Sequence, residues 1–185
     1  MGASSMEKVN KIPIGVAPED RERRNAIFAQ MDVNGNNYLS LAEIDKGIRD
    51  VLELPELFDS KPVIIRAYEA ARGKVKGKKS FSDDYVSKAE FRYLLIYLKL
   101  YYHLWLEFEE IDKSGDRRIG EAEFVSGQPI LAKWGVKAGN AQSIFAELLQ
   151  KNNAEGHITF TQFCDWAIGE HLRQHTDCDD HNSLG

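Results

Sequence analysis

Oxygen-bearing side chains recur at a regular spacing in two polar stretches of the sequence, Asp32–Glu43 and Asp112–Glu123. A calcium loop of the helix–loop–helix type has twelve residues and takes oxygen ligands from positions 1, 3, 5, 7, 9 and 12. Because Ca²⁺ binds six to eight oxygens, the Glu at position 12 supplies two of them. The spacing therefore predicts that both stretches are calcium loops, each with an apolar position 8 that pairs with a neighbouring loop.

The first stretch has an oxygen donor at each of the six ligand positions. Leu39 is the apolar residue at position 8, and Asn37 stands at position 6, where a glycine is expected. Asn tolerates the left-handed backbone needed there better than other non-glycine residues do. The predicted ligands, with Tyr38 acting through its main-chain carbonyl, are Asp32, Asn34, Asn36, Tyr38, Ser40 and Glu43.

The second stretch has three carboxylates, against two in the first, but a less regular backbone pattern. Arg117 occupies position 6, where a left-handed long side chain costs about 1–2 kcal/mol. Gly120 at position 9 has no side-chain oxygen, so a water would complete the coordination there. The predicted ligands, with Arg118 acting through its carbonyl, are Asp112, Ser114, Asp116, Arg118 and Glu123. We therefore expect the chain to bind one to two Ca²⁺ ions.

Two further stretches have the same twelve-residue frame without the ligands. The frame Lys79–Glu90 begins with a lysine and has Phe81 at position 3, and the frame Lys151–Gln162 begins with a lysine and ends with a glutamine. We expect neither to bind calcium. Because such motifs fold in pairs, we expect Leu39 to pair with Val86 and Ile119 to pair with Ile158 in short β-bridges.

Helical patterns flank all four frames, which predicts an all-α fold of four helix–loop–helix motifs in two paired lobes. The stretch from Lys88 to Ile111 lacks Gly and Pro, which favours one long helix or two helices with little break between them. The predicted divisions are a flexible N-terminal arm at 1–20, a first motif pair at 21–100, a second pair at 101–172 and a polar tail at 173–185.

The composition excludes several classes of protein. The 185 residues carry 24 Lys and Arg against 29 Asp and Glu, and this mild acidity argues against a nucleic-acid binder. Two cysteines exclude a disulfide scaffold, and neither a secretion signal nor a membrane-spanning stretch is evident, which predicts a cytoplasmic protein. No nucleophile elbow, phosphate loop or catalytic carboxylate pair is evident, so we do not expect an enzyme.

The residues from Arg21 to about Gly169 resemble the flagellar calcium-binding family of kinetoplastids, the calflagins, within the EF-hand superfamily. The resemblance rests on the loop frames and on the stretches VLELPEL, FRYLLIYLKLYYHLWLEFEEID and AKWGVKA. It implies a calcium sensor held at the flagellar membrane by N-terminal acylation. Two features depart from the family: the fourth frame has Lys151 and Gln162 at ligand positions, and Gly2 is followed by Met6 where the acylation motif has Ser or Thr.

Three functions follow as alternatives from this sequence. The first is a flagellar or ciliary sensor that changes shape on binding calcium and engages an unidentified protein target, with membrane association through Gly2 as an additional interaction. The second is a structural axonemal protein on microtubules with little calcium regulation. The third is a calcium buffer, which binds the ion without changing shape.

Two other clusters could do chemistry but are better explained as solvated surface. A histidine and cysteine group near the C-terminus has the spacing of a transition-metal site, yet it lies in a polar tail: His171, His175, Cys178 and His181. A basic, glycine-interrupted stretch from Arg72 to Lys79 could touch an acidic partner or lipid headgroups, but an exposed loop is the simpler interpretation.

Overall fold

The structure is a computed structural model that describes residues 2–75, 84–137 and 139–179, with side chains over 6–75, 84–137 and 139–170. The chain divides into two compact units, Met1–His103 and Leu104–Gly185, and the division falls within one helix. In chain order the elements are α1 (Gly2–Asn10), α2 (Pro18–Met31), β1 (Tyr38–Leu39), α3 (Leu41–Asp50), α4 (Pro55–Asp59), α5 (Lys61–Ala71), β2 (Val86–Ser87), α6 (Phe91–Ile111), β3 (Arg118–Gly120), α7 (Glu121–Ser126), α8 (Gln128–Leu131), a 3-10 turn (Ala132–Trp134), α9 (Ala141–Asn152), β4 (His157–Thr159) and α10 (Phe160–Asp179).

The first unit is built around one short antiparallel pair of strands. Strand β1 pairs with β2, with Leu39 opposite Val86, which confirms the predicted bridge. Both side chains are fully buried, as are Ile44 and Ile48 on the inner face of α3. These residues belong to an apolar core, and this core fixes the position of the first loop.

Residues 2–17 differ from the flexible arm expected from the sequence. They form α1 and a following segment, residues 11–17, which we call the N-terminal strap. Val9 is fully buried and Ile12 nearly so, because their apolar side chains contribute to the core of this unit. The guanidinium Nη1 of Arg24 donates to the carbonyl oxygens of residues 13 and 15 at 3.0 and 2.7 Å, and the Nε of Arg92 donates to that of residue 14 at 2.8 Å. Buried apolar side chains and main-chain hydrogen bonds thus hold the strap in place.

The second unit repeats the strand pairing around an aromatic core. Strand β3 pairs with β4, with Ile119 opposite Ile158, which confirms the second predicted bridge. Both isoleucines are fully buried. Stacked, edge-to-face and tilted ring contacts, with centroids 5.0–5.8 Å apart, join the aromatic side chains of this core: Trp105, Phe108, Phe124, Phe145, Phe160, Phe163 and Trp166.

The predicted all-α fold is confirmed: helices predominate and the strands are short antiparallel pairs. The stretch predicted as one or two helices is the single helix α6. Between α3 and α5 lies the short helix α4, and Pro55 occupies its first turn, where a proline is well tolerated. Across the described helices, none combines the length and hydropathy that a bilayer-spanning segment needs.

Candidate calcium loops

The first loop, Asp32–Glu43, lies between α2 and α3, and its side chains fold back onto its own backbone. The carboxylate of Asp32 accepts hydrogen bonds from the backbone N–H groups of Asn36 at 3.1 Å and Asn37 at 2.8 Å. Asn37 has a φ of 64°, so the left-handed backbone expected at position 6 is present. The amide oxygen of Asn34 accepts from the N–H of Asn36 at 2.9 Å. The loop thus bends tightly around its own polar side chains.

Glu43, the predicted twelfth residue, stands in the first turn of α3 and points back into the loop. Its Oε2 accepts from the N–H and hydroxyl of Ser40 at 2.9 and 2.8 Å, and its own N–H donates to the Ser40 hydroxyl at 3.2 Å. Ser40 and Glu43 therefore form a capping box, which satisfies helix-end donors reciprocally. The other carboxylate oxygen of Glu43 accepts from the side-chain amide of Asn34 at 3.0 Å, which joins positions 3 and 12.

The other predicted calcium loop, Asp112–Glu123, is called the third loop because it is the third of the four frames in chain order. It lies between α6 and α7 and has the same bend. The carboxylate of Asp112 accepts from the N–H groups of Gly115 and Arg117, both at 2.8 Å. Arg117 has a φ of 65°, so this arginine does adopt the left-handed backbone that position 6 requires. The hydroxyl of Ser114 donates to Asp112 at 3.0 Å, and the N–H of Ser114 donates to Glu123 at 2.9 Å. Hydrogen bonds thus connect positions 1, 3 and 12.

The electrostatics of the third loop favour an ionised Glu123. Burial raises the pKa of its carboxyl, but hydrogen bonds from the backbone of Gly120 and from the backbone and hydroxyl of Ser114 lower it by more, and the nearby Asp112 raises it again. The net pKa lies below the ordinary value for glutamate. Glu123 is therefore a carboxylate at neutral pH, which is the form that binds a hard cation.

The two partner frames reproduce the closing contact without the ligand set. Glu90 accepts from the N–H and hydroxyl of Ser87 at 3.0 and 2.7 Å, as Glu43 does from Ser40. Gln162 accepts from the N–H of Thr159 at 2.8 Å, although its amide carries no charge. Lys79 and Phe81 lie outside the described residues. These frames support their neighbours through the β-bridges.

The structure brings together some of the predicted ligands and not others. In the third loop Asp112, Ser114 and Glu123 are linked, whereas the carboxylate of Asp116 accepts from the N–H of Arg118 at 2.9 Å. Over the described ranges, no three His, Cys, Asp or Glu side chains converge closely enough to hold one metal ion. The donors in both loops are nevertheless all oxygen atoms, which suits a hard cation such as Ca²⁺ rather than a softer transition metal.

The histidine and cysteine group near the C-terminus is only partly covered by the described residues. His171, His175 and Cys178 fall within α10 and His181 beyond it, and all four side chains lie outside the described part of the chain. Sequence reasoning missed the capping function of Ser40 and Glu43, although their spacing, Ser-x-x-Glu before an apolar run, is the signature of a capping box.

Paired twelve-residue loops, joined through their eighth residues and flanked by helices, define an EF-hand protein. The model of the FCaBP EF-hand domain matches residues 9–98. The flagellar calcium-binding protein TB-17 of Trypanosoma brucei brucei is 34% identical over 173 residues, covering 91% of this chain and 72% of that relative. The flagellar calcium-binding protein of Trypanosoma cruzi is 33% identical over 172 residues, covering 91% and 80%. The chain belongs to the flagellar calcium-binding protein family, which confirms the resemblance found in the sequence.

Proposed function

We propose that this chain is a flagellar calcium sensor that binds one Ca²⁺ in Asp32–Glu43 and one in Asp112–Glu123. The observation that carries the proposal is the run of hydrogen bonds in the third loop from Asp112 through Ser114 to Glu123, at 3.0 and 2.9 Å. It joins the first, third and twelfth positions, whose oxygens an EF-hand loop directs at the ion. The names of the relatives, each a flagellar calcium-binding protein, support both the ion and the location.

The first loop would bind its ion through the side-chain oxygens of Asp32, Asn34, Asn36, Ser40 and Glu43 and the carbonyl of Tyr38. The third would use Asp112, Ser114, Asp116 and Glu123, the carbonyl of Arg118 and a water at Gly120. In each pair of loops, the partner frame that begins with a lysine would stay empty, because a positive charge at position 1 repels the ion.

The sensing step follows from the position of Glu43 and Glu123 in the first turns of α3 and α7. Binding an ion through both oxygens requires Glu43 to give up hydrogen bonds with Ser40 and Asn34 and moves the start of its helix. Because α3 buries Ile44 and Ile48, its movement would expose apolar surface to a protein target. A buffer would bind calcium with no such movement.

Calorimetric titration of the full-length chain with calcium tests the ion sites. We expect two ions for the natural chain and one each for Glu43→Gln and Glu123→Gln. Glu53→Gln is a matched control, because it removes the same charge from the first unit outside any loop frame. Uptake of no calcium below millimolar concentration would refute the proposal, and unchanged stoichiometry in either loop variant would refute that assignment.

Two further measurements distinguish the sensor from its alternatives. Binding of a hydrophobic dye should increase when calcium is added, whereas a buffer would give equal dye binding with and without the ion. Detergent extraction of flagella should release a membrane-associated sensor, whereas a structural axonemal component would remain with the microtubules. If acylation holds the chain at the membrane, a Gly2→Ala variant should be released from flagella without detergent.

A further inference from the structure

A cleft in the first unit is lined by a concentration of positive charge. It has a volume of about 510 Å³ and lies between the first half of α2 and the start of α6. This volume falls in the range of small-molecule sites in proteins, about 300–1,000 Å³. No acidic side chain is among its described lining residues, and four basic ones are: Arg21, Arg24, Lys88 and Arg92.

Two of these arginines are fixed in place by the strap. Arg24 uses its Nη1, and Arg92 its Nε, to bind main-chain carbonyl oxygens of residues 13–15. Each guanidinium has five N–H groups in a planar fork, so each retains further donors for a ligand. A guanidinium held in this way loses little freedom when it binds an anion, and this preorganisation favours affinity.

The positive groups oppose one another in the absence of a ligand. Partial burial lowers the pKa of Arg24, and the neighbouring charges of Arg92 and Arg21 lower it further, while Asp20 acts in the opposite direction. The carboxylate of Asp20 already accepts from the N–H of Gly15 at 2.9 Å. An anion in the cleft would therefore relieve a repulsion that the protein's own carboxylates leave in place.

The cleft also has an apolar wall. Phe28 and Phe91 line it, are each 2% exposed and contact each other edge to face with ring centroids 5.2 Å apart. Because both rings are almost fully buried, they pack against the cleft from within and expose little apolar surface to it. The volume of about 510 Å³ is nevertheless larger than a bare phosphate ion needs, so the cleft has room for a carbon skeleton beside the anionic group.

We propose that this cleft binds an organic phosphate, with Arg21, Arg24, Lys88 and Arg92 holding the phosphate and the remaining volume of the cleft taking the carbon skeleton. Phosphate matches the planar fork of arginine through paired hydrogen bonds, and a phosphomonoester carries close to two negative charges at neutral pH. The phosphate can belong to a soluble metabolite or to a lipid headgroup. The site involves none of the predicted calcium ligands, so it is independent of the proposed calcium function.

The test measures binding of two probes to the full-length chain in a buffer of constant ionic strength that contains EDTA. The soluble probe is inositol 1,4,5-trisphosphate, followed by calorimetry. The membrane probe is a phosphatidylcholine vesicle containing phosphatidylinositol 4,5-bisphosphate, followed by co-sedimentation. The variant is Arg21→Gln with Lys88→Gln, since both residues are exposed and neither binds the strap.

The control variant is Lys8→Gln with Lys46→Gln, which removes the same charge from exposed positions of the same unit outside the cleft. We expect one molecule of soluble probe to bind per chain, about tenfold more weakly in the Arg21 and Lys88 variant and unchanged in the control. Binding to the vesicles alone, with the same loss in that variant, supports the site and identifies a lipid headgroup as the source. Equal weakening in both double variants would overturn the proposal. So would the absence of binding of either probe at millimolar probe concentration.

Discussion

Replacing Arg117 with glycine should stabilise the second unit of this protein. Arg117 has a φ of 65°, a conformation that costs a residue with a Cβ atom about 1–2 kcal/mol. Glycine removes this strain but also makes the unfolded chain more flexible, which costs about 0.4–1 kcal/mol. The hydrogen bond from the backbone N–H of this residue to Asp112 at 2.8 Å does not depend on the side chain. The net gain in the free energy of unfolding should therefore be about 1 kcal/mol.

Thermal unfolding in EDTA, followed by circular dichroism, measures this gain without a contribution from calcium. A unit of the size of Leu104–Gly185 should unfold about 4–8 °C higher for each 1 kcal/mol gained in its free energy of unfolding. Arg117→Ala is the matched control, because it removes the same charge and nearly the same side-chain atoms but retains the Cβ atom and its strain. We expect its midpoint to lie close to that of the natural chain.

A second control separates the backbone effect from a general effect of glycine. Arg118→Gly changes the next residue, which lies in the strand β3 opposite Thr159, and it should lower the midpoint because glycine weakens a strand. Asn37→Gly should give a smaller gain than Arg117→Gly, because asparagine tolerates the left-handed backbone. If Arg117→Ala stabilises the protein as much as Arg117→Gly, the charge and not the backbone is responsible, and the reasoning fails.

Three further predictions concern the loops. Substituting Lys151→Asp with Gln162→Glu should raise the calcium stoichiometry by one in calorimetry, because it supplies the missing charges of the fourth frame. Replacing Ser40→Ala should lower the midpoint of unfolding in EDTA by an amount equivalent to about 1 kcal/mol, since it removes a helix cap. The stability difference between the natural chain and Glu123→Gln should be largest above pH 4.5, the ordinary glutamate pKa, and should shrink as the pH falls through the lowered pKa of the folded state.

Each of these predictions has a distinct contrary result. Unchanged stoichiometry in the Lys151 and Gln162 variant would mean that the fourth loop lacks more than its end ligands. An unaltered midpoint for Ser40→Ala would show that the capping box contributes nothing measurable to α3. A stability difference for Glu123→Gln that grows as the solution is acidified would contradict the lowered pKa, and denaturant titrations between pH 3 and 7 provide the measurement.

The loop motifs were predictable because their chemistry is local. Twelve consecutive residues fix the register of the frame, so Leu39 and Ile119 can be assigned as bridge residues from the sequence alone. The left-handed backbone at Asn37 and Arg117 follows from the same register, since position 6 turns the loop whichever residue occupies it. Local spacing thus gave the fold class and both strand pairings.

The basic cleft and the strap could not be predicted in the same way. Arg24 and Arg92 are far apart in the sequence, and only the packing of α2 near α6 brings their side chains to adjacent carbonyl oxygens. Pro13, Gly15 and Pro18 indicate an irregular segment, and they carry no information on whether that segment is bound. Val9 was the available signal, since an apolar residue in a polar stretch is consistent with burial, but one such residue does not specify a partner.

The manner in which the arginines hold the strap has a consequence for variation among related chains. Arg24 and Arg92 recognise main-chain oxygens, which every amino acid possesses, rather than particular side chains. The hydrogen bonds therefore tolerate a change of side chain at Ile14, whereas Pro13 is buried and a side chain at Gly15 would clash with the carboxylate of Asp20. A comparison of many homologues should accordingly find the two cations retained opposite a segment in which residue 14 varies more than either of its neighbours.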